Sequence, residues 1–249
     1  MVSSLLTVCV KKLIFLGVLD IYGKNVVTTE GADWRTHRKI TARPFSEKNN
    51  QLVHEESVRQ SVQMMAEWES KSIDRNTVII EKYIHLILYV TYRRPVMETM
   101  KFALHVITGA GFGVPINWDT SSDTVEAPHT LSFKNAVTTV LHHLFQLVLV
   151  PRRLWKLPID TLKRASEGYY EFGNYMRELL EREKALGKES DGQNLMAALV
   201  KHSSEGERGS NALLSDQEII GNTFIFLLAG HETTYVSHLL LFVVVAGGF

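Results

Sequence analysis

The stretch that most constrains this chain lies near its end, where an apolar run from Ile219 to Val245 is interrupted by Leu227-Leu-Ala-Gly-His-Glu-Thr-Thr234. Just ahead of it, Ser215-Asp216-Gln217-Glu218 reads as a capping box: Ser215 caps free N–H groups and Glu218 reaches back. The helix that begins there is apolar on all sides, which means burial. Burying a His, a Glu and two Thr costs several kcal/mol unless they are hydrogen-bonded or functional. Ala229 and Gly230 are small, so something can approach the backbone closely there. Thr233 can turn its hydroxyl onto the carbonyl of Ala229, loosening the helix locally. Glu232 and Thr233 form an acid–alcohol pair of the kind that relays protons into a buried site. The plainer reading is a core helix with a few satisfied polar groups.

Two other readings of the same stretch fall away. His231-Glu232 opens a zinc-binding His-Glu-x-x-His pattern, but Tyr235 holds the second histidine's place. His238 lies seven residues beyond His231, which is not the usual one-turn spacing of metal-binding imidazoles. A membrane span is disfavoured by His231 and Glu232 near its centre, so a buried helix fits better. At the N-terminus, Lys11-Lys12 breaks an apolar stretch that falls short of the ~20 residues a span needs. A removable signal is the other reading there.

With 249 residues, 45% apolar and 22% charged, the chain can build a sizeable core as one large domain or two small ones. A formal net charge of zero argues against a nucleic-acid binder that relies on bulk electrostatics. The single cysteine, Cys9, excludes an internal disulfide framework and any multi-cysteine metal cluster.

Along the chain, Asp33 is placed to cap a helix starting at Trp34, which Arg43-Pro44-Phe45 ends. Helical spacing then runs through Leu52, Val53, Val58, Val62, Met65 and Trp68. Residues 73–93 show neither helical nor strand periodicity, and Met97–Phe112 returns to a helical pattern. Residues 114–128 read as a loop, followed by helices at about 130–149 and 160–186, with Pro151 and Pro158 between them. Residues 187–211 are polar apart from Leu195–Val200. The sum is a mainly α protein.

Ala229-Gly-His-Glu-Thr-Thr234 resembles the Ala/Gly-Gly-x-Asp/Glu-Thr-Thr/Ser signature on the long central helix of cytochromes P450. Trp34-x-x-x-Arg38 resembles the Trp-x-x-x-Arg helix of the same family, and residues 104–113 and 144–158 follow in the right order. The flavour is that of fungal members. The fold this implies is mainly α, a partial P450 fold lacking the C-terminal haem-ligand region, with residues 1–249 as a single partial domain. The resemblance covers about residues 20–234; residues 1–20, 82–96 and 235–249 look foreign and read as mis-spliced.

The resemblance implies haem b as cofactor, with Trp34 and Arg38 on a propionate, a group that suits the bidentate fork of Arg. Read without the family, Arg35, His37, Arg38, Lys39 and Arg43 are a solvated basic face. By resemblance again, Ala229 and Gly230 floor the pocket and Glu232 and Thr233 carry protons. One oxygen atom from O2 would enter a small apolar organic substrate, with electrons from an NADPH-dependent reductase at the cytosolic face of the endoplasmic reticulum membrane. The family's Glu-x-x-Arg pair and axial Cys are absent, and Cys9 precedes the first matched helix. The metal therefore has no ligand here, and the expectation for this chain is little or no turnover, with a helix built for burial left uncovered. The alternative is a non-catalytic helical remnant, membrane-associated through residues 219–249.

Overall fold

The computed structural model describes residues 19–71, 84–118, 125, 127–187, 194–204 and 214–247, and no strand occurs among them. Eight α-helices follow in order: α1 (Gly31–Thr41), α2 (Glu47–Lys71), α3 (Ile84–Phe112), α4 (Phe133–His142), α5 (Leu144–Leu149), α6 (Asp160–Leu186), α7 (Leu195–Ser204) and α8 (Asp216–Gly247). A 3-10 turn at Arg152–Lys156 joins α5 to α6. The mainly α expectation holds. The undecided stretch 73–93 is helical from Ile84 onward, while residues 72–83 and Cys9 lie outside the described residues. Contacts divide the chain into two compact units, Met1–Ser46 with Ser122–Ile225 and Glu47–Ser121 with Phe226–Phe249.

The first unit is organised around α6. Its buried positions Leu162, Ala165, Phe172, Met176 and Leu180 recur at helical spacing, so one stripe faces inward. Phe172 has no exposure and meets Tyr22 edge-on at 5.4 Å between ring centroids, Phe133 at 5.9 Å and Phe224 at 6.3 Å. The segment before α1 is held by side chains. The fully buried Asn25 donates through Nδ2 to the Leu19 carbonyl at 2.5 Å and accepts the Val27 N–H at 3.0 Å. Gly221 on α8 lies against the backbone of Gly23 and Lys24, where a Cβ would have no room.

This tight turn starts α1 at Gly31, not Trp34. The Trp34 N–H already donates to the Glu30 carbonyl at 3.3 Å, so Asp33 sits inside the first turn and not at the cap. There its charge complements the helix dipole. Glu30 takes the cap position without a side-chain capping bond.

Ahead of α4, His129 bonds Glu171 at 3.0 Å and Glu178 at 3.1 Å and stacks on Tyr175 at 3.7 Å. Burial works to lower its pKa, but the bonds and charges of the two carboxylates outweigh this and hold it above the usual value. A folded-state pKa raised in this way contributes stability that is full below the unfolded value, about 6.5. That contribution disappears as pH rises through the folded value. Unfolding midpoints in urea should therefore fall between mildly acidic and mildly alkaline pH, and His129→Gln should flatten this fall. An unchanged slope in the variant would show that the ring is not protonated in the fold.

In the second unit, α2 turns part of its apolar spacing outward. Val58, Val62 and Met65 are exposed, whereas Glu56 and Gln60 are buried. The polar side chains go inside because each is satisfied there. Arg59 grips Glu56 with two bonds of 2.5 and 2.8 Å. Gln60 donates to the Ile116 carbonyl at 2.7 Å and pairs with His105 at 3.1 Å. Apolar periodicity carries no information about such partners, and a buried polar group with its bonds made is tolerated. Trp118 closes the unit, its backbone N–H on Gln63 at 2.7 Å and its indole N–H on Glu67.

Candidate functional site

The expected site residues fall in the two units, Trp34 and Arg38 in the first and Ala229 to Thr233 in the second. On α1, Trp34 and Arg38 stand one turn apart on one face and both are exposed. Arg38 has no carboxylate partner among the described residues. An unpaired guanidinium beside an exposed indole is a donor set that fits a carboxylate ligand, the chemistry a haem propionate presents.

The basic-face reading fails at His37, which is buried at 1% exposure and points to the opposite side. Asn222 Nδ2 donates to His37 Nδ1 at 2.9 Å, so that nitrogen is an acceptor and Nε2 carries the proton toward Glu218 at 3.4 Å. Asn222 in turn donates to the Glu218 carbonyl at 2.7 Å and accepts the Val26 N–H at 2.8 Å. Glu218 also closes the capping box, accepting the Ser215 N–H at 2.8 Å and hydroxyl at 2.7 Å, while Ser215 Oγ accepts the Glu218 N–H. Burial works against the charged carboxylate, but these donors pull its pKa below the ordinary value. The cap of α8 and the seat of α1 thus share one carboxylate. The available signal was Asn222, a polar residue in an apolar run.

On α8, Thr233 donates to the Ala229 carbonyl at 2.7 Å, the back-bond expected from the sequence. The helix is not buried all round. Ile225, Leu227, Leu228 and His231 are buried, whereas Ala229, Glu232 and Thr233 are exposed and Gly230 is half-buried. The opposite side of Gly230 faces Ile107 on α3; a Cβ there would lie 2.5 Å from Ile107 Cδ1. His231 bonds the Met100 backbone, and its Nδ1 lies 3.4 Å from Glu232 Oε1. Burial lowers the pKa of His231, with Glu232 and the Met100 bond opposing. A buried histidine thus fixes α8 to α3 and leaves Ala229, the acid and the alcohol on the uncovered side. Among the described residues no helix is long and apolar enough to cross a membrane.

Family comparison decides what this arrangement belongs to. The cytochrome P450 family model matches residues 19–245. The chain belongs to the cytochrome P450 family. The match extends beyond Thr234. A cytochrome P450 monooxygenase of the fungus Postia placenta is 35% identical over 229 residues, covering 90% of this chain and 40% of the relative. A cytochrome P450 monooxygenase of Arthrobotrys oligospora is 30% identical over 232 residues, covering 88% of this chain and 38% of the relative. One from Penicillium roqueforti is 28% identical, covering 87% and 37%. The chain therefore spans about 40% of the length of these relatives. No solved structure matches.

Proposed function

We propose that this chain carries the oxygen-side and propionate-side halves of a haem-thiolate monooxygenase that acts on a small apolar substrate and draws electrons from an NADPH-dependent reductase. The observation that carries the reading is the α8 turn at Ala229–Thr233, where a small residue, an acid and an alcohol share one uncovered side. Bound haem supplies the oxygen-activating chemistry. The chain's own part is to hold and move protons. Glu232 would take a proton from solvent and pass it to the Thr233 oxygen, which in the same step would release its own hydroxyl proton toward the bound group. That hydroxyl is oriented by its bond to Ala229. The small Ala229 leaves room for a flat ligand to approach the backbone, while Gly230 lets Ile107 of α3 pack closely against α8. Arg38 and Trp34 bind a propionate.

Cys9, the one cysteine, precedes the family match. We expect the 249-residue chain to take up haem without thiolate ligation and to turn over little or nothing. Haem titration followed by Soret absorbance should show saturable uptake, weakened about tenfold by Arg38→Leu through loss of a charge-assisted bond. The reduced, CO-treated sample should lack the thiolate band. A folded chain that takes up no haem would sink the cofactor reading and favour the non-catalytic remnant.

For location we propose the surface of the endoplasmic reticulum membrane. The support is an exposed apolar set, Phe145, Leu149, Leu154, Leu157 and Ile159, interleaved with exposed Arg152, Arg153 and Lys156. Apolar side chains that enter the acyl boundary beside cations that meet anionic headgroups are the makings of an interfacial contact. Co-sedimentation with anionic vesicles should be lost when Phe145 and Leu149 are both changed to Ser. Equal binding by that variant would remove the support.

A further inference from the structure

The proton route proposed above leaves one titratable group on α8 unused. His231 is 3% exposed and sits where α8 meets α3, both within the second unit. Its Nδ1 is buried without a hydrogen bond, so the bond to the Met100 backbone is made by Nε2. Met100 lies inside α3, where its own N–H belongs to the helix, so the ring donates and the Met100 carbonyl accepts. Nε2 therefore carries the proton of the neutral ring, and Nδ1 presents a lone pair. That lone pair lies 3.4 Å from Glu232 Oε1, within ion-pair range but not aligned as a hydrogen bond. Successive helical residues point about 100° apart, so the Glu232 side chain lies back across α8 to come this close. Two acceptors facing each other over this distance are joined only when one proton lies between them.

We infer that His231 and Glu232 form a one-proton store, in which the buried ring holds the proton at Nδ1 and Glu232 is the group through which it enters and leaves. The inference deepens the proposed function and rests on it for the use of the proton. A lone carboxylate of ordinary pKa, about 4.3, is empty nearly all the time near neutral pH, and an imidazole, at about 6.5, is a far better holder. The pair joins that capacity to a side chain that reaches water. Glu232 is 52% exposed, whereas Nδ1 is buried and Nε2 is tied to Met100, so exchange with solvent runs through the carboxylate. In loading, Glu232 takes a proton from water and gives it to Nδ1, leaving an imidazolium beside a carboxylate. In emptying, the proton returns to the carboxyl, which hands it on to Thr233. One proton moves each way and no electrons do. Burial holds the ring below its ordinary pKa, against Glu232 and the Met100 bond, which favours release. Among the described residues Glu232 is the charge acting on the ring; α3 adds the uncharged Met100 carbonyl and, beside Gly230, the Ile107 side chain.

The test is a pH titration of the 15N-labelled His231 ring by NMR, in the full chain without added haem. The neutral ring is expected as the Nε2–H form, taking its second proton at Nδ1. Glu232→Gln should lower the titration midpoint, because the opposing charge is gone. It should also slow exchange between the two ring forms, because an amide fills the space without carrying a proton. Glu232→Asp, which keeps the carboxyl, should exchange faster than the Gln variant. Glu55→Gln, at an exposed carboxylate on α2, should change neither quantity. All three substitutions are at exposed positions, so none requires the core to repack. A neutral ring protonated at Nδ1 overturns the proposal. So does a midpoint indifferent to Glu232→Gln, or one lowered equally by Glu55→Gln. A lower midpoint without slower exchange would leave an ion pair and no store. Failed haem uptake with these signals as expected would sink the oxygen-side reading alone, and failed signals with uptake intact would sink the store alone.

Discussion

Replacing Phe172 by alanine should lower unfolding stability by about 3–5 kcal/mol, the range for removing a buried aromatic ring. Phe172 has no exposure, and three rings rest against it: Tyr22, Phe133 and Phe224. They come from the segment before α1, from α4 and from α8, so little backbone is free to collapse into the space left behind. The upper half of the range is expected for that reason. Tyr22 is further fixed by its hydroxyl on the Tyr169 carbonyl at 3.0 Å, by stacking on the Tyr169 ring at 4.9 Å and by its backbone carbonyl, which accepts from Gln217. Urea unfolding followed by far-UV circular dichroism measures the loss. Phe172→Leu, which keeps most of the volume, should recover more than half of it. A Phe172→Ala loss under about 1 kcal/mol, the size of a surface change, would mean these elements do not share one core.

Replacing His37 by leucine should cost about 3 kcal/mol, combining one buried N–H left unbonded with imperfect filling of the imidazole site. The unbonded group is Asn222 Nδ2, whose second N–H stays on the Glu218 carbonyl. Glu218 loses less, because Ser215 still supplies two donors. His37→Gln can place its amide oxygen near Nδ1 and should lose clearly less than leucine. Under the proposed propionate role of Trp34 and Arg38, which ride on α1, the consequence reaches function. A loosened α1 should weaken haem uptake in His37→Leu by more than the Gln variant does, under conditions where both are folded. Equal uptake by both variants would show that His37 serves stability alone.

Some of this was legible in residue order because it depends on neighbours in sequence. The Ser215–Glu218 cap and the Thr233–Ala229 back-bond each close within one turn, so their geometry follows once the helix is granted. The i, i+4 spacing put Trp34 and Arg38 on one face for the same reason. The family itself was readable from two short motifs.

Other features depended on partners far along the chain. Apolar spacing ran through Val58, Val62 and Met65, yet these are exposed, and Gln60 lies inside because Ile116 and His105 meet it there, with Glu56 held beside it by Arg59 and Gln60. His37 looked like one cation among several until Asn222 and Glu218, more than 180 residues away, took both its nitrogens. The start of α1 moved to Gly31 because the turn before it is closed by Asn25. Local spacing determined which residues share a helix face and which motif they form. Which face turns inward was settled only by tertiary contacts, since burying a polar group is governed by whether a distant donor or acceptor meets it.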